Sequence, residues 1–210
     1  MRIYASCNQS KKTNKHTFKM KIKYLLLLLI IQSSFIFSQE INSDLENKAT
    51  VYFTRASSLG ALINFTYFDG EKPIGRFNGP KYLKYVCEPG KHLFWARSEN
   101  RSYIEANLEA GKIYLIDVIP QMGAIKAGVK LIPVDKSIYK LKRIQKLVTK
   151  KDPVKFNENE LQKLKDEMGD VISRGIKKYE EIKDKNQKIK KLTKNLTILD
   201  QDLIFIKKKK

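Results

Sequence analysis

Cys87 and His92 flank the four residues Glu88-Pro-Gly-Lys91. If that link closes a hairpin, the two side chains become cross-strand neighbours, close enough for imidazole to take the thiol proton and leave a nucleophile. The sequence offers no third group to orient the histidine and no oxyanion donors. A buried thiol beside a turn histidine is therefore expected, with an envelope hydrolase using Cys87/His92 as an alternative. Asp117 with Glu105 or Glu109 could form a carboxylate pair for acid–base work, although solvent-facing or Arg97-paired carboxylates explain them more simply. Ser57-Ser58 lacks the Gly-x-Ser-x-Gly elbow, and no Gly-rich loop precedes a helix to cradle phosphate. Beyond residue 38, Cys87 and His92 are the only thiol and imidazole. An internal disulfide and a tetrahedral Cys/His zinc site are thereby excluded. No catalytic, cofactor-binding or metal residue is assigned.

Charge points elsewhere. Residues 49–135 carry a net charge of about +3 and residues 136–210 about +12, so the composition divides near Asp135. Ser137 to Val148 places Ile138, Leu141, Ile144 and Val148 on one helical face and most of its cations on others. Lys140, Lys142, Arg143, Lys146, Lys150 and Lys151 are the candidate contacts to a polyanion or an anionic membrane surface. Basic charge beside aromatic strands also fits a nucleic-acid-binding protein, the alternative if the chain stays in the cytoplasm.

Eight short apolar-aromatic runs must position these groups: Ala49–Arg55, Ala61–Phe68, Pro73–Phe77, Tyr82–Cys87, His92–Arg97, Tyr103–Leu108, Lys112–Ile119 and Val129–Val134. Their spacing predicts a small antiparallel β-sandwich over 49–135. Asp69-Gly70 and Pro89-Gly90 supply turn chemistry, and Gly111 and Gly123 punctuate later connections. Lys112–Ile119 is almost continuously apolar and is the expected central strand. Trp95, Phe53, Phe65, Phe94, Leu115 and Leu131 are the expected core. Asn64-Phe-Thr66, Asn100-Arg-Ser102 and Asn195-Leu-Thr197 match glycosylation acceptors by chance.

The ordered series Val51-Tyr-Phe-Thr-Arg-Ala-Ser-Ser-Leu-Gly-Ala61, Phe68-Asp-Gly-Glu-Lys-Pro-Ile-Gly75, Tyr82, Glu88-Pro-Gly-Lys-His92 and Glu109-Ala-Gly-Lys-Ile-Tyr114 resembles the bacterial domain-of-unknown-function family numbered 2846. Its Pro-Gly-x-His turn is similar to that of PEGA-type surface modules. The resemblance covers residues 48–134. It implies a small exported β domain at the bacterial envelope, and it carries no catalytic residues to transfer.

Beyond Asp135 the sequence turns helical. Pro153 ends the first helix, and Asn157 with Glu160 forms a capping box for the next. Leu161, Leu164, Met168, Val171, Ile172, Ile176, Tyr179 and Ile182 recur at helical spacing, weakened at Gly169 and Gly175. An unbroken helix to Lys185 would span about 40 Å and would bury its stripe on the sandwich or on a second copy. Ile189, Leu192, Leu196, Leu199 and Leu203 hint at a coiled coil. The region 136–206 is thus a basic helical extension, and 207–210 a lysine tail.

Met20 to Ser38 has a basic front, an apolar middle of about 14 residues and a small residue at its end. A spanning helix needs about 20, so residues 1–38 are expected to be a leader whose signal peptide (20–38) is cleaved near Ser38. An N-terminal membrane anchor is the alternative. Residues 39–48 form a linker. The expected whole is an α+β protein, exported to the periplasm or outer envelope. It would be a non-catalytic interaction or scaffold module that needs no cofactor. Its expected partners are an envelope protein or anionic surface, with self-association through the long helix also possible and nucleic acid not expected.

Overall fold

The computed structural model describes residues 47–122, 127–135 and 141–198. The leader and its cleavage position, Gly123, Lys140 and the lysine tail lie outside them. Eight strands follow the eight runs: β1 (Ala49–Thr54), β2 (Phe65–Asp69), β3 (Lys72–Phe77), β4 (Tyr82–Cys87), β5 (Gly90–Arg97), β6 (Arg101–Leu108), β7 (Ile113–Met122) and β8 (Ala127–Pro133). Three helices come next: α1 (Leu141–Lys150), α2 (Glu158–Glu167) and α3 (Gly169–Asp184). Two short strands, β9 (Lys190–Leu192) and β10 (Thr197–Ile198), complete the described elements. The fold is α+β.

The first sheet runs β10-β7-β1-β4, with β8 also paired to β7, and the second runs β3-β2-β5-β6-β9. Their inner faces meet in one apolar cluster that includes Val51, Phe53, Phe65, Tyr67, Phe94, Ile104, Tyr114 and Ile116. The sandwich is mixed, not purely antiparallel, because β1 pairs β7 and β6 pairs β9 in parallel. Both parallel pairs join strands far apart in sequence, as the crossover geometry of parallel pairing requires.

Both outer faces are covered as well. Ile144 and Leu147 of α1 pack with Tyr52, Tyr82 and Leu115 outside the first sheet. Leu164, Met168, Val171 and Ile172 of α2 and α3 pack with Phe68, Trp95 and Tyr103 outside the second. The four layers explain why β1 is buried at every position and why β7 alternates two apolar sets. Tyr114, Ile116 and Val118 enter the inner core, whereas Leu115 and Ile113 serve the outer one. All six expected core residues are fully buried, but Trp95 and Leu115 lie beneath helices and not between the sheets.

The open sides of the sandwich are closed by different devices. Asn100 behaves as an extra strand residue, donating from Nδ2 to the Val129 carbonyl (3.0 Å) and accepting from the Val129 amide (2.6 Å). Ser102 Oγ accepts from the Leu131 amide at 3.0 Å, which ties β6 to β8 across the sheets. On the opposite side, the segment after α1 runs over β4. Val154 N donates to the Tyr82 carbonyl at 2.9 Å, and Val154 and Phe156 plug the inner core. The β4 edge is shielded from strand addition in this way.

The long helix is interrupted. α2 starts at the expected capping box: Asn157 Oδ1 accepts from the Glu160 amide and Glu160 Oε2 from the Asn157 amide. It stops at Met168 (φ −107°, ψ 8°), and α3 begins at Gly169. The break lets both apolar stripes lie on one twisted sheet, so the stripe is covered within the chain. The tail does not form a coiled coil in the described residues. Leu192 enters the inner core through β9 and Ile198 the outer core through β10. Leu192 and Leu196, four apart, share a face in a strand as well as in a helix, and pairing with existing sheet edges decides.

Candidate functional site

Asp69-Gly70 turns the β2–β3 hairpin, with Gly70 at φ 55° and Asp69 opposite Lys72. The link between Cys87 and His92 forms no hairpin. Among the described strands β4 pairs with β1, and β5 pairs with β2 and β6, so the link carries the chain from one sheet to the other. Pro89-Gly90 still turns there, with Gly90 at φ 124°. The expected cross-strand Cys87–His92 neighbourhood is therefore corrected.

Each residue meets different partners. Cys87 is 8% exposed at the rim of the inner core. Burial first, then Asp69 and Glu88, pushes its thiol up to about 12, which removes thiolate character. His92 bridges two acceptors: Nδ1 lies 2.8 Å from Asp69 Oδ2, and Nε2 lies 2.8 Å from the Glu88 carbonyl oxygen. Both partners present acceptor oxygens, an arrangement that favours a ring donating from both nitrogens, and the hydrogen bond to Asp69 raises the His92 pKa. While it donates from both nitrogens the ring has no lone pair for general-base work. Tyr85 donates to the same Asp69 Oδ2 at 3.1 Å, and the His92 ring stacks on Phe94. The cluster pins the β2–β3 turn to the inter-sheet link.

The pin gives stability a defined pH dependence. The hydrogen bond to Asp69 raises the His92 pKa above its ordinary value, and burial opposes this. A group whose folded pKa is raised contributes fully below its unfolded pKa of about 6.5. That contribution is lost as pH rises through the folded value. The denaturant midpoint is therefore expected to fall as pH rises from about 6.5, and His92→Gln to flatten the profile. Denaturation across that window checks it; an unchanged slope in the variant would place the titration elsewhere.

The carboxylates stay apart. Glu105 on β6 accepts from Tyr179 Oη of α3 at 3.0 Å. Burial and this carboxylate push the Tyr179 phenol up to about 12. Glu109 pairs with Lys194 at 3.2 Å. Asp117 lies on β7 in the other sheet, in a cleft of about 190 Å3 beneath α1 whose lining includes Leu59 and Arg143. No acid–base pair arises from these three, and Glu105 and Glu109 pair with Tyr179 and Lys194 where Arg97 was expected. A larger cavity of about 590 Å3 opens between β6, β9 and α3, lined in part by Glu105, Tyr179, Lys91, Lys183 and Lys191. Among the described residues, no group of three or more His, Cys, Asp or Glu side chains could hold a metal ion.

The cationic candidates fall on one surface. Lys142, Arg143, Lys146 and Lys150 are exposed on α1, and Lys151 follows it. Apolar docking of Ile144 and Leu147 turns their side of the helix outward. Lys151 Nζ donates to the Pro80 carbonyl at 2.7 Å, so it also ties the helix end to the sandwich. Lys140 lies outside the described residues. The ion pairs of the described residues use Lys48, Arg76, His92, Lys178, Lys183 and Lys194 instead.

One organising residue had no sequence signal. Arg55 is wholly buried at the end of β1. Its guanidinium donates to the carbonyls of Ile63 (2.7 Å), Leu59 (3.2 Å) and Gly60 (2.6 Å) and lies 4.0 Å over Phe65. It shapes the loop on which Leu59 lines the α1 cleft and Leu62 stands exposed. Its only hint is a charge directly after an apolar strand. No family model matches the chain, nor does any curated protein or solved structure.

Proposed function

We propose that the chain is a non-catalytic module that binds an anionic surface of the bacterial envelope through α1. The observation that carries this is the docking of α1 by Ile144 and Leu147, which leaves Lys142, Arg143, Lys146 and Lys150 facing solvent. Exposed Leu59 lines the cleft beside Arg143, and Leu62 on the same loop is 91% exposed. Apolar tips beside a cationic face suit a lipid headgroup region. Among the described residues no helix is long and apolar enough to cross a membrane. The apolar leader and the resemblance to the exported family support an envelope location.

Removing residues 136–210 would be a poor test, because it would strip β9 and β10 from both sheets. Charge reversal on α1 is cleaner. Lys142→Glu, Arg143→Glu and Lys146→Glu together are expected to weaken binding to phosphatidylglycerol-containing vesicles by at least about a hundredfold, at about 1 kcal/mol per cation lost. Vesicle sedimentation at two salt concentrations measures it. Binding that is undiminished in the variant, or insensitive to salt, would overturn the reading.

A further inference from the structure

The outer face of the second sheet carries a row of like charges. Arg76 on β3 stands opposite Thr66 on β2, Thr66 opposite Arg97 on β5, and Arg97 opposite Arg101 on β6. The row lies on the same face as Phe68, Trp95 and Tyr103, beneath α2 and α3. Arg174 of α3 adds a fourth guanidinium, and its Nε is bound to the Asp170 carbonyl at 3.2 Å. Like charges placed directly across strands destabilise a sheet. Burial, then Arg101, Arg174 and Arg76, all push the Arg97 guanidinium below its ordinary pKa.

Compensation within the chain is incomplete. Glu167 of α2 takes Arg76 Nη1 at 3.1 Å, and Thr66 Oγ1 accepts from Arg76 Nε at 3.3 Å. Arg76 Nη2 and Arg101 Nε are buried without a hydrogen-bond partner among the described residues. Unmet buried N–H donors on charged groups are costly. Arg76 and Arg97 of this row line a cavity of about 480 Å3 together with Asn64, Thr66, Ser98 and Glu167.

We infer that this cavity is a binding site for a tetrahedral oxyanion of the phosphate type, held by Arg97 and Arg76 with Arg101 and Arg174 supplying field. Guanidinium groups match phosphoryl oxygens in geometry and charge. An anion in the cavity would relieve the mutual repulsion across the row and accept from the Arg97 and Arg76 guanidinium groups that line it. The cavity can also take the organic group of a phosphomonoester. The site lies on the opposite sheet from α1 and stands independently of the surface-binding reading.

The test titrates inorganic phosphate into the full chain at constant ionic strength, with chloride as the reference, and follows the thermal midpoint and the heat of binding. A saturable rise in midpoint is expected with phosphate. Arg97→Gln is expected to weaken it about tenfold, while the variant without phosphate melts no lower than the parent because a like charge has gone. A merely structural Arg97 would instead lower the midpoint on removal. Arg101→Gln serves as a second variant and should weaken phosphate binding in the same direction. Non-saturable phosphate stabilisation, or equal stabilisation of parent and both variants, would overturn the site. Competition by glycerol phosphate would assign a soluble phosphomonoester. Retention on phosphatidylglycerol vesicles in the α1 charge-reversed background, lost on adding Arg97→Gln, would assign a lipid headgroup.

Discussion

Arg55→Met is expected to destabilise the protein by about 3 kcal/mol, the cost of leaving buried backbone carbonyls without their side-chain donor. The guanidinium satisfies three backbone carbonyls in the loop after β1 and spreads its charge over the Phe65 ring. Methionine can fill most of the volume but donates to none of them, so the Leu59 and Ile63 carbonyls would lose the Arg55 donor, while Gly60 keeps only the Ile63 amide at 2.9 Å. Gly60 holds φ 58°, and a Cβ there would lie 3.1 Å from the Ala127 side chain, so the loop has little room to rearrange. Against a total stability of about 5–15 kcal/mol, the loss would be a large share. Equilibrium denaturation measures it, and faster proteolysis near Leu62 should accompany it. Arg55→Lys should rescue only part of the loss, because one ammonium cannot span three carbonyls in the same fork. A loss below about 1 kcal/mol for Arg55→Met would mean the loop holds itself.

The strands were legible because their apolar runs and turn residues agree. All eight runs correspond to strands within a few residues, and Asp69-Gly70 makes the hairpin its composition demands. The pairing was less accessible. Nothing in the spacing of Cys87 and His92 distinguishes a hairpin from a link between two sheets, since both need one tight turn. The choice rests on β4 finding β1, a partner more than thirty positions earlier. Layer assignment failed for a related reason. Trp95 and Leu115 look like inner-core residues until helices are known to cover both outer faces. The surface cations of α1 could be found from their helical periodicity. The arginine row could not, because Arg76, Arg97 and Arg101 become neighbours only through strand register.

Gly175 is the residue that allows α3 to sit on the second sheet, and Gly175→Val is expected to cost about 3 kcal/mol by overpacking. Glycine within a helix ordinarily weakens it by about 1 kcal/mol relative to alanine, so a substitution there would stabilise if space allowed. Space does not allow. A Cβ on Gly175 would collide with Trp95, whose Cζ2 and Cζ3 atoms would lie 2.9 Å away. Trp95 has no free direction in which to retreat. Its ring stacks on Phe68 at 3.9 Å and its Nε1 donates to the Gly70 carbonyl at 2.8 Å. The helix is fixed from its own side too, since Tyr103 Oη donates to the Gly175 carbonyl at 2.8 Å. Either α3 lifts or the aromatic stack breaks, and both expose the outer cluster. Gly169, where a Cβ would meet nothing within 4 Å, provides the contrast: Gly169→Ala should be neutral or slightly stabilising. Tryptophan fluorescence during denaturation follows both variants, because Trp95 is the single tryptophan. If Gly175→Val matched the parent in midpoint and emission, α3 would not be seated on Trp95, and the helical layer over the second sheet would have to be redrawn.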